Sequence, residues 1–240
     1  MSEDNGRVVL IVGAGRGIGR ASAHLFAKDG DALVIASRNE ADLESLRREL
    51  SENYGARVLA VPTDATDAGA VEYLVDAAVN AFGRVDTAVY AAGIGVLKPF
   101  AETTAGEFEQ LMRTNVGGAF NLCKAVLPLM ERQKGGRLVA IPGILGRAPM
   151  AQAAAYCASK YALTGMLKSL ALETKRAGVR VSLLHLGGVN SSFWDNVTMR
   201  VQRERMLTVN AAARAVHFAA TQEGEGVLNE LVLQPESHQL

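Results

Sequence analysis

Short, continuously apolar segments alternate with amphipathic helical patterns along the whole chain. The apolar segments predict strands at residues 7–12, 33–36, 57–61, 85–90, 136–141, 179–185 and 226–233. The helical patterns predict helices at residues 17–28, 40–53, 67–82, 104–113, 116–133, 153–175 and 211–221. Strands that are apolar at every position are typical of a parallel sheet covered on both faces. The pattern therefore predicts one α/β domain over residues 1–240, a doubly wound Rossmann fold with a parallel sheet of about seven strands.

The composition agrees with such a domain and disfavours several other classes of protein. Hydrophobic residues make up 49% of the 240 positions, enough for a sizeable core. The 25 basic and 25 acidic residues give a net charge of zero, which offers no global attraction to nucleic acid or membrane surfaces. Cys123 and Cys157 lack the CxxC spacing of a metal site. The N-terminus does not resemble a secretory signal, and no apolar run is long enough to span a membrane, so we expect a cytoplasmic protein.

The first predicted strand runs directly into a glycine-rich turn that opens the first helix. Residues 13–19 read GAGRGIG, a GxxxGxG spacing in which Ile18 stands where the GxGxxG pattern has its third glycine. Glycine allows a tight turn and a close approach of backbone to a pyrophosphate, which the helix N-terminus attracts. This context predicts dinucleotide binding, with a purely structural turn as the alternative. The loop residues expected to bind the dinucleotide are Gly13, Gly15, Arg16, Gly17, Ile18 and Gly19.

The end of the second predicted strand indicates which dinucleotide is bound. Folds that bind NAD place an acidic residue about 20 residues after the loop, where it holds a ribose hydroxyl. Here the strand ends in Ser37 and Arg38, and no carboxylate occurs before Glu40. Arg38 and Arg16 can instead converge on a 2′-phosphate, which a guanidinium binds well. The sequence therefore favours NADP(H), with two solvated surface arginines as the alternative.

A tyrosine and a lysine stand four residues apart at the start of the long predicted helix. Tyr156 and Lys160 are therefore neighbours on one helix face. A phenol has an unperturbed pKa near 10, and a nearby ammonium group lowers that pKa and makes the tyrosine a usable acid and base. Alone, such a pair is usually ordinary helix surface, but together with the glycine-rich loop it predicts proton transfer.

With these motifs in this order, the sequence resembles the short-chain dehydrogenase/reductase family over essentially the whole chain. Within the family it is most similar to NADP-dependent 3-oxoacyl-(acyl carrier protein) reductases. The matching residues are Gly13, Gly17, Gly19, Asp64, Ala65, Ala92, Gly93, Asn115, Tyr156, Lys160 and Gly187. The resemblance implies NADPH-dependent reduction of a small ketone or aldehyde to an alcohol, by a homo-oligomer that is a tetramer or dimer.

The resemblance also implies a role for each matching residue. Tyr156 would donate a proton to the substrate carbonyl oxygen, Lys160 would bind the nicotinamide ribose and lower the Tyr156 pKa, and Asn115 would hold a water in a proton relay. As alternatives, Asn115 is an ordinary helix residue and Asp64 a strand-end cap. The other cofactor contacts would come from Ser37, Arg38, Asp64, Ala65, Ala92, Gly93, Val189 and Ser191.

Two departures from the family pattern concern the site. The paired asparagines before Ala92 are replaced by Tyr90 and Ala91, which we expect to affect local support. The family's catalytic serine lies 13 residues before the tyrosine, and that position holds Gly143. The missing hydroxyl could be replaced by the Gly143 backbone N–H, by an ordered water or by a group on the substrate.

Other residues are weaker replacements for that hydroxyl. Ser159 points around the helix from Tyr156, and His185 is interpreted first as a core histidine. A second hypothesis follows from Gly143: an NADP(H)-binding regulatory or scaffold protein whose catalysis is weakened or lost.

The loops that follow the strands are mostly apolar. They include residues 94–97, 144–146 and 149–150, together with a stretch from 192 to 206 that contains Phe193 and Trp194. These residues favour an apolar ketone or acyl substrate, or else they pack on the domain or on a partner subunit.

Overall fold

Seven parallel strands form one sheet at the centre of the molecule. The computed structural model describes residues 6–197, 199 and 201–237. The domain was predicted over residues 1–240, of which 1–5, 198, 200 and 238–240 are outside the described residues. The strands are β1 (Val8–Val12), β2 (Ala32–Ser37), β3 (Val58–Pro62), β4 (Thr87–Tyr90), β5 (Gly136–Ala140), β6 (Val179–Leu186), β7 (Val189–Asn190), β8 (Leu207–Thr208) and β9 (Glu230–Leu233). The order across the large sheet is β3-β2-β1-β4-β5-β6-β9, and β7 pairs with β8 in a separate small sheet.

Helices connect these strands and cover both faces of the sheet. They are α1 (Gly17–Lys28), α2 (Glu40–Tyr54), α3 (Ala68–Phe82), α4 (Ala105–Met112), α5 (Gly118–Arg132), α6 (Ala154–Thr174) and α7 (Val209–Thr221). A π-helical turn, Arg113–Gly117, joins α4 to α5, and single 3-10 turns occur at Phe100–Glu102, Ile144–Gly146, Lys175–Ala177, Ser192–Asn196 and Arg203–Arg205. No helix in the described residues is long and apolar enough to cross a membrane.

The predicted α/β fold with about seven parallel strands is confirmed, with local differences. The last strand begins at Glu230 rather than at residue 226, because β9 pairs only with Leu183–Leu186 of β6. The two helices predicted at 104–113 and 116–133 are continuous through the π-helical turn. The β7 and β8 pair was not predicted, since a strand of two residues carries no periodic signal.

The core consists of two apolar layers, one on each face of the sheet. Successive side chains of a strand point to opposite faces, so Val8 and Leu10 of β1 pack with α3, α5 and α6. Val9 and Ile11 of the same strand pack with α1, α2 and α7. Every residue of β1 is buried, as a strand covered on both faces requires.

The strand order places a crevice at the carboxyl ends of the strands. β1 lies between β2 and β4, so the chain leaves β3 at the sheet edge and returns to the middle as β4. Loops after the neighbouring strands β1 and β4 therefore diverge in opposite directions at their carboxyl ends. Such a point is where open α/β sheets bind their ligands.

Candidate active site

The glycine-rich loop lies at this crevice, in contact with the end of β4. Gly13 has a φ of +90°, and a Cβ there would stand 2.5 Å from the Ala92 backbone nitrogen. Its N–H and that of Ala14 donate hydrogen bonds to the Ala36 carbonyl, at 2.8 and 3.0 Å. The loop is thereby held between the ends of β2 and β4, and only glycine at residue 13 permits this approach.

Helix α1 starts from this loop with open backbone donors. Its N-cap residue Arg16 makes no side-chain cap, and the first turn contains no acidic residue. The Ile18 side chain packs into the core, so only its backbone faces the loop. The first amides of α1 can therefore bind an anion such as a phosphate.

The residues predicted to choose between NAD and NADP lie beside the loop. A Cβ at Gly15 would stand 2.8 Å from Ser37 Oγ, so the ends of β1 and β2 are in contact here. Arg16 and Arg38 are both exposed. The pKa of Asp64 is lowered chiefly by a hydrogen bond from the Thr66 backbone N–H, with a smaller contribution from the Arg38 charge. Positive charge from Arg38 therefore reaches Asp64 at this end of the crevice, where the Asp42 side chain also approaches Gly15.

Arg113 is a further cation at this end that sequence reasoning missed. It is exposed at the start of the π-helical turn, and its charge also helps to lower the pKa of Asp64. Its distance of 49 residues along the chain from Asp64 hides this proximity in the sequence.

Ala65, Ala92 and Gly93 occupy the floor of the crevice. Ala65 is buried, and its carbonyl accepts a hydrogen bond of 2.9 Å from Asn121 Nδ2. A Cβ at Gly93 would stand 3.2 Å from Asn115 Oδ1 and 3.5 Å from Lys160 Nζ. The loop after β4 therefore comes close to two predicted catalytic residues, Asn115 and Lys160, at Gly93.

Lys160 and Tyr156 lie together on α6, as predicted. The Lys160 ammonium is 5.5 Å from the centroid of the Tyr156 ring and donates a hydrogen bond of 3.1 Å to the Ile141 carbonyl. Burial lowers the pKa of Lys160 to about 8. Burial also raises the pKa of Tyr156, so in the protein alone desolvation outweighs the expected lowering by the ammonium group.

Asn115 sits in the π-helical turn and is completely buried. Its Oδ1 accepts a hydrogen bond of 2.9 Å from the Ile94 N–H, and its Nδ2 donates to the Ile94 carbonyl at 3.0 Å and to Ser159 Oγ at 2.9 Å. The side chain therefore ties the loop after β4 to α6. Its predicted contact with a water stays a prediction.

Tyr90, which replaces a family asparagine, supports this arrangement directly. Its hydroxyl donates a hydrogen bond of 2.5 Å to the carbonyl of Thr114, the residue before Asn115. A side chain at Gly118 would overlap the Tyr90 hydroxyl, so the phenol occupies the space beside the π-helical turn. The departure seen in the sequence thus becomes a tether on the backbone that carries Asn115.

Residue 143, where the sequence resemblance predicts a serine, has an unusual backbone. Gly143 has a φ of +75°, a conformation that strains any residue with a Cβ. Its N–H donates to the Leu184 carbonyl at 3.1 Å, so it is not free to replace the serine hydroxyl. Ser159 is also occupied, because its hydroxyl donates to the Tyr156 carbonyl at 2.7 Å and accepts from Asn115. Two of the candidate donors are therefore excluded.

The remaining predicted contacts come from the segment after β6. Ser191 approaches the glycine-rich loop, since a Cβ at Gly17 would stand 3.9 Å from Ser191 Cβ. The Val189 carbonyl accepts a hydrogen bond of 2.9 Å from the Trp194 indole. This segment therefore bridges from the loop to the aromatic pair Phe193 and Trp194.

Apolar side chains form a wall beside Tyr156. The Phe193 ring lies 5.8 Å from the Tyr156 ring and 5.2 Å from the Trp194 ring, measured between centroids. The wall also contains Leu97, Ile144, Leu145, Met150, Ala153, Cys157, Val197 and Met199. No group of three or more His, Cys, Asp or Glu side chains that could hold a metal occurs in the described part of the chain.

The sequence matches the family model described as short chain dehydrogenase over residues 7–202. This chain belongs to the short-chain dehydrogenase family. The match includes the glycine-rich loop, Asn115, Tyr156 and Lys160, and it therefore contains the whole set of residues brought together at the crevice.

Several known members are similar over nearly their whole length. The sepiapterin reductase of Chlorobaculum tepidum is 32% identical over 237 residues, covering 96% of each chain. Among solved structures, the alcohol dehydrogenase of Thermococcus sibiricus complexed with 5-hydroxy-NADP has a TM-score of 0.90 and 26% identity, covering 98% of each chain. A metagenomic short-chain oxidoreductase in complex with NADP has a TM-score of 0.84 and 29% identity, covering 96% of this chain and 98% of that one.

The tether on the Asn115 backbone makes a prediction about Tyr90. Tyr90→Phe removes the hydroxyl that donates to Thr114, and we expect the free energy of unfolding to fall by about 0.5–1.5 kcal/mol because a part-buried hydrogen bond is lost. The Ile94 amide, which Asn115 holds, should exchange hydrogen faster than in the wild type. Urea denaturation and hydrogen exchange read the two effects. Tyr73→Phe, at a residue 67% exposed, is the matched control, and equal behaviour of the two variants would contradict the tether.

Proposed function

We propose that this protein is an NADPH-dependent oxidoreductase that reduces an apolar ketone or aldehyde to an alcohol. The observation that carries the proposal is the approach of Lys160 and Asn115 to Gly93, with Tyr156 beside the Lys160 ammonium. Binding of a dinucleotide alone does not require a phenol and an ammonium group in this arrangement. The proposed partner is accordingly a small-molecule substrate.

The residues of the crevice fit NADP(H). The open amides at the start of α1 suit the pyrophosphate, and the exposed guanidinium groups of Arg16 and Arg38 suit a 2′-phosphate. The solved relatives that carry NADP or 5-hydroxy-NADP support this choice. The further residues that would hold the cofactor are Gly13, Gly15, Gly17, Ile18, Gly19, Ser37, Asp64, Ala65, Ala92, Gly93, Tyr156, Lys160, Val189 and Ser191.

The proposed reaction uses Tyr156 as the proton donor. When bound, the nicotinamide supplies a hydride to the carbonyl carbon of the substrate. The Tyr156 hydroxyl gives its proton to the carbonyl oxygen, so the product forms as a neutral alcohol. The positive charge of Lys160 stabilises the phenolate left on Tyr156 and so opposes the effect of burial on the Tyr156 pKa.

The proposed site works without the serine hydroxyl. Loss of one preorganised donor to a carbonyl oxygen typically lowers kcat about 10²–10³-fold. Because the Gly143 N–H and the Ser159 hydroxyl are engaged elsewhere, a second donor has to come from a water or from the substrate itself. We therefore propose a substrate with its own polar group next to the carbonyl.

The wall beside Tyr156 favours a neutral, apolar substrate body. No residue of this apolar cluster, among those that the structure describes, is charged. Cations flank the wall, since Arg147 stands between Leu145 and Met150 in the chain and Arg203 donates to the Ser191 carbonyl, so the apolar lining concerns the body of the substrate and not a carrier attached to it. A compact ketone with an aromatic or cyclic body suits the rings of Phe193 and Trp194 better.

A second candidate is an NADP(H)-binding regulatory or scaffold protein with weakened catalysis. The observation that favours it is the backbone of Gly143, whose φ of +75° is incompatible with simple restoration of a serine. We also propose a homo-oligomer, supported by the exposed apolar side chains of Phe120 on α5 and Leu172 on α6.

The proton donor is tested by Tyr156→Phe. We expect kcat to fall at least about 10²-fold, because general acid catalysis is lost, while the Kd for NADPH stays nearly unchanged. Turnover is followed by NADPH absorbance over a panel of aromatic, cyclic and 1,2-dicarbonyl ketones. Tyr161→Phe, on the same helix and 44% exposed, is the control. Full activity in Tyr156→Phe would refute the assignment, and tight NADPH binding without turnover in the wild type would favour the regulatory candidate.

The choice of cofactor is tested by Arg38→Asp. The substitution replaces a cation at the proposed 2′-phosphate site with an anion, so the Kd for NADPH should rise at least about 10–100-fold while that for NADH changes little. Fluorescence titration measures both constants. Arg176→Asp controls for net charge, because Arg176 is also an exposed arginine and lies in the 3-10 turn that follows α6. Equal weakening of NADPH and NADH binding would reject the 2′-phosphate assignment.

A further inference from the structure

His185 lies directly behind the turn that lacks the serine. It is a residue of β6, has no exposed surface, and pairs in register with Val232 of β9. Its Nδ1 is 3.1 Å from the Gly143 carbonyl oxygen, and its Nε2 is 3.3 Å from Glu230 Oε2. The side chain therefore spans from the serine position to a carboxylate on β9.

Both ring nitrogens of His185 face acceptors. A carbonyl only accepts hydrogen bonds, so Nδ1 carries a proton and donates it to Gly143. Nε2 is buried and makes no well-aligned hydrogen bond in the described residues, although the Glu230 carboxylate is its neighbour. Neither nitrogen is directed at a substrate, so His185 does not replace the serine hydroxyl as a donor.

Glu230 is itself held in place by cations. Lys168 Nζ on α6 lies 2.5 Å from Glu230 Oε1, and Arg147 lies 3.5 Å from Oε2. Burial lowers the pKa of His185, whereas the Gly143 carbonyl and the Glu230 carboxylate oppose that shift, and Arg147 and Lys168 reinforce it. A neutral imidazole has one proton, and when Nδ1 donates it to the Gly143 carbonyl, Nε2 turns a lone pair toward Glu230, so only the doubly protonated ring satisfies both acceptors.

The Gly143 carbonyl controls a turn with two functional ends. Upstream, the Ile141 carbonyl accepts the hydrogen bond from Lys160. Downstream, Ile144 and Leu145 belong to the apolar wall beside Tyr156. Between them, Gly143 is fixed by three contacts: its N–H to Leu184, and its carbonyl to the Gly146 N–H and to His185.

We propose that His185 is a positioning residue that donates through Nδ1 to the Gly143 carbonyl and so fixes the turn between the Lys160 acceptor and the substrate wall. The His185 imidazole thereby holds the turn in its observed shape. That shape requires a φ of +75° at residue 143, which glycine adopts without strain. The catalytic consequence rests on the proposed function, whereas the anchoring does not.

The test compares His185→Ala with His185→Asn. His185→Ala removes the donor, and we expect kcat to fall up to about tenfold, in line with the loss of one hydrogen bond, with KM for NADPH nearly unchanged. The Gly146 amide, which shares the Gly143 carbonyl, should exchange hydrogen faster. The side-chain amide introduced by His185→Asn can donate from a position near that of Nδ1, so this variant should recover most of kcat and of the exchange protection.

Ser182→Ala supplies the matched control. Ser182 is another buried polar residue of β6, and it donates to Leu228 rather than to Gly143, so its loss should alter neither kcat nor Gly146 exchange. If His185→Ala fails to fold, His185→Leu, which keeps more of the buried volume but has no donor, tests the same anchor and should also raise Gly146 exchange.

Two outcomes would overturn the anchoring role. One is unchanged Gly146 exchange in the folded variant, and the other is an asparagine variant no better than the alanine variant. Hydrogen exchange needs no turnover, so an inactive wild type would reject the proposed function and leave the anchor to be decided by the exchange data.

Discussion

The Lys160 ammonium group is almost completely inside the protein, 6% exposed, and the carbonyl of Ile141 accepts its hydrogen bond. Lowering its pKa from 10.5 to about 8 corresponds to about 3 kcal/mol of lost stability at neutral pH. The folded protein binds this proton less tightly than the unfolded chain, so the cost is present below pH 8 and disappears as the pH rises toward 10.5.

Three sets of hydrogen bonds hold the segments of the chain that surround Lys160. Asn115 ties the loop after β4 to α6, and Tyr90 holds the backbone on which Asn115 stands. On the other side, the Ile141 acceptor begins the turn whose centre is the Gly143 carbonyl, where His185 makes its contact. The phenol of Tyr156 and the ammonium of Lys160 are thereby held together beside a turn that has glycine at residue 143.

The sheet, the loop and the Tyr156–Lys160 pair are predictable because each depends on residues close together in the chain. A continuously apolar strand such as β1 and a spacing of four on α6 are local signals. The bond from Tyr90 to Thr114 and the contact of His185 with Gly143 join residues 24 and 42 positions apart, which only the folded chain brings together. The raised pKa of Tyr156 could not be predicted from the sequence either. It results from burial, which depends on the packing of distant segments such as the one that carries Phe193.

The reaction proposed for this site is hydride transfer to a carbonyl carbon without a serine hydroxyl. Single-turnover reduction with NADPH that carries deuterium at both C4 positions tests it most directly, with mass spectrometry of the product. We expect an alcohol that contains one deuterium on the carbinol carbon, and no deuterium on that carbon when unlabelled NADPH is used in deuterated water. Binding of the labelled NADPH with no deuterated alcohol formed from any ketone of the panel would contradict it.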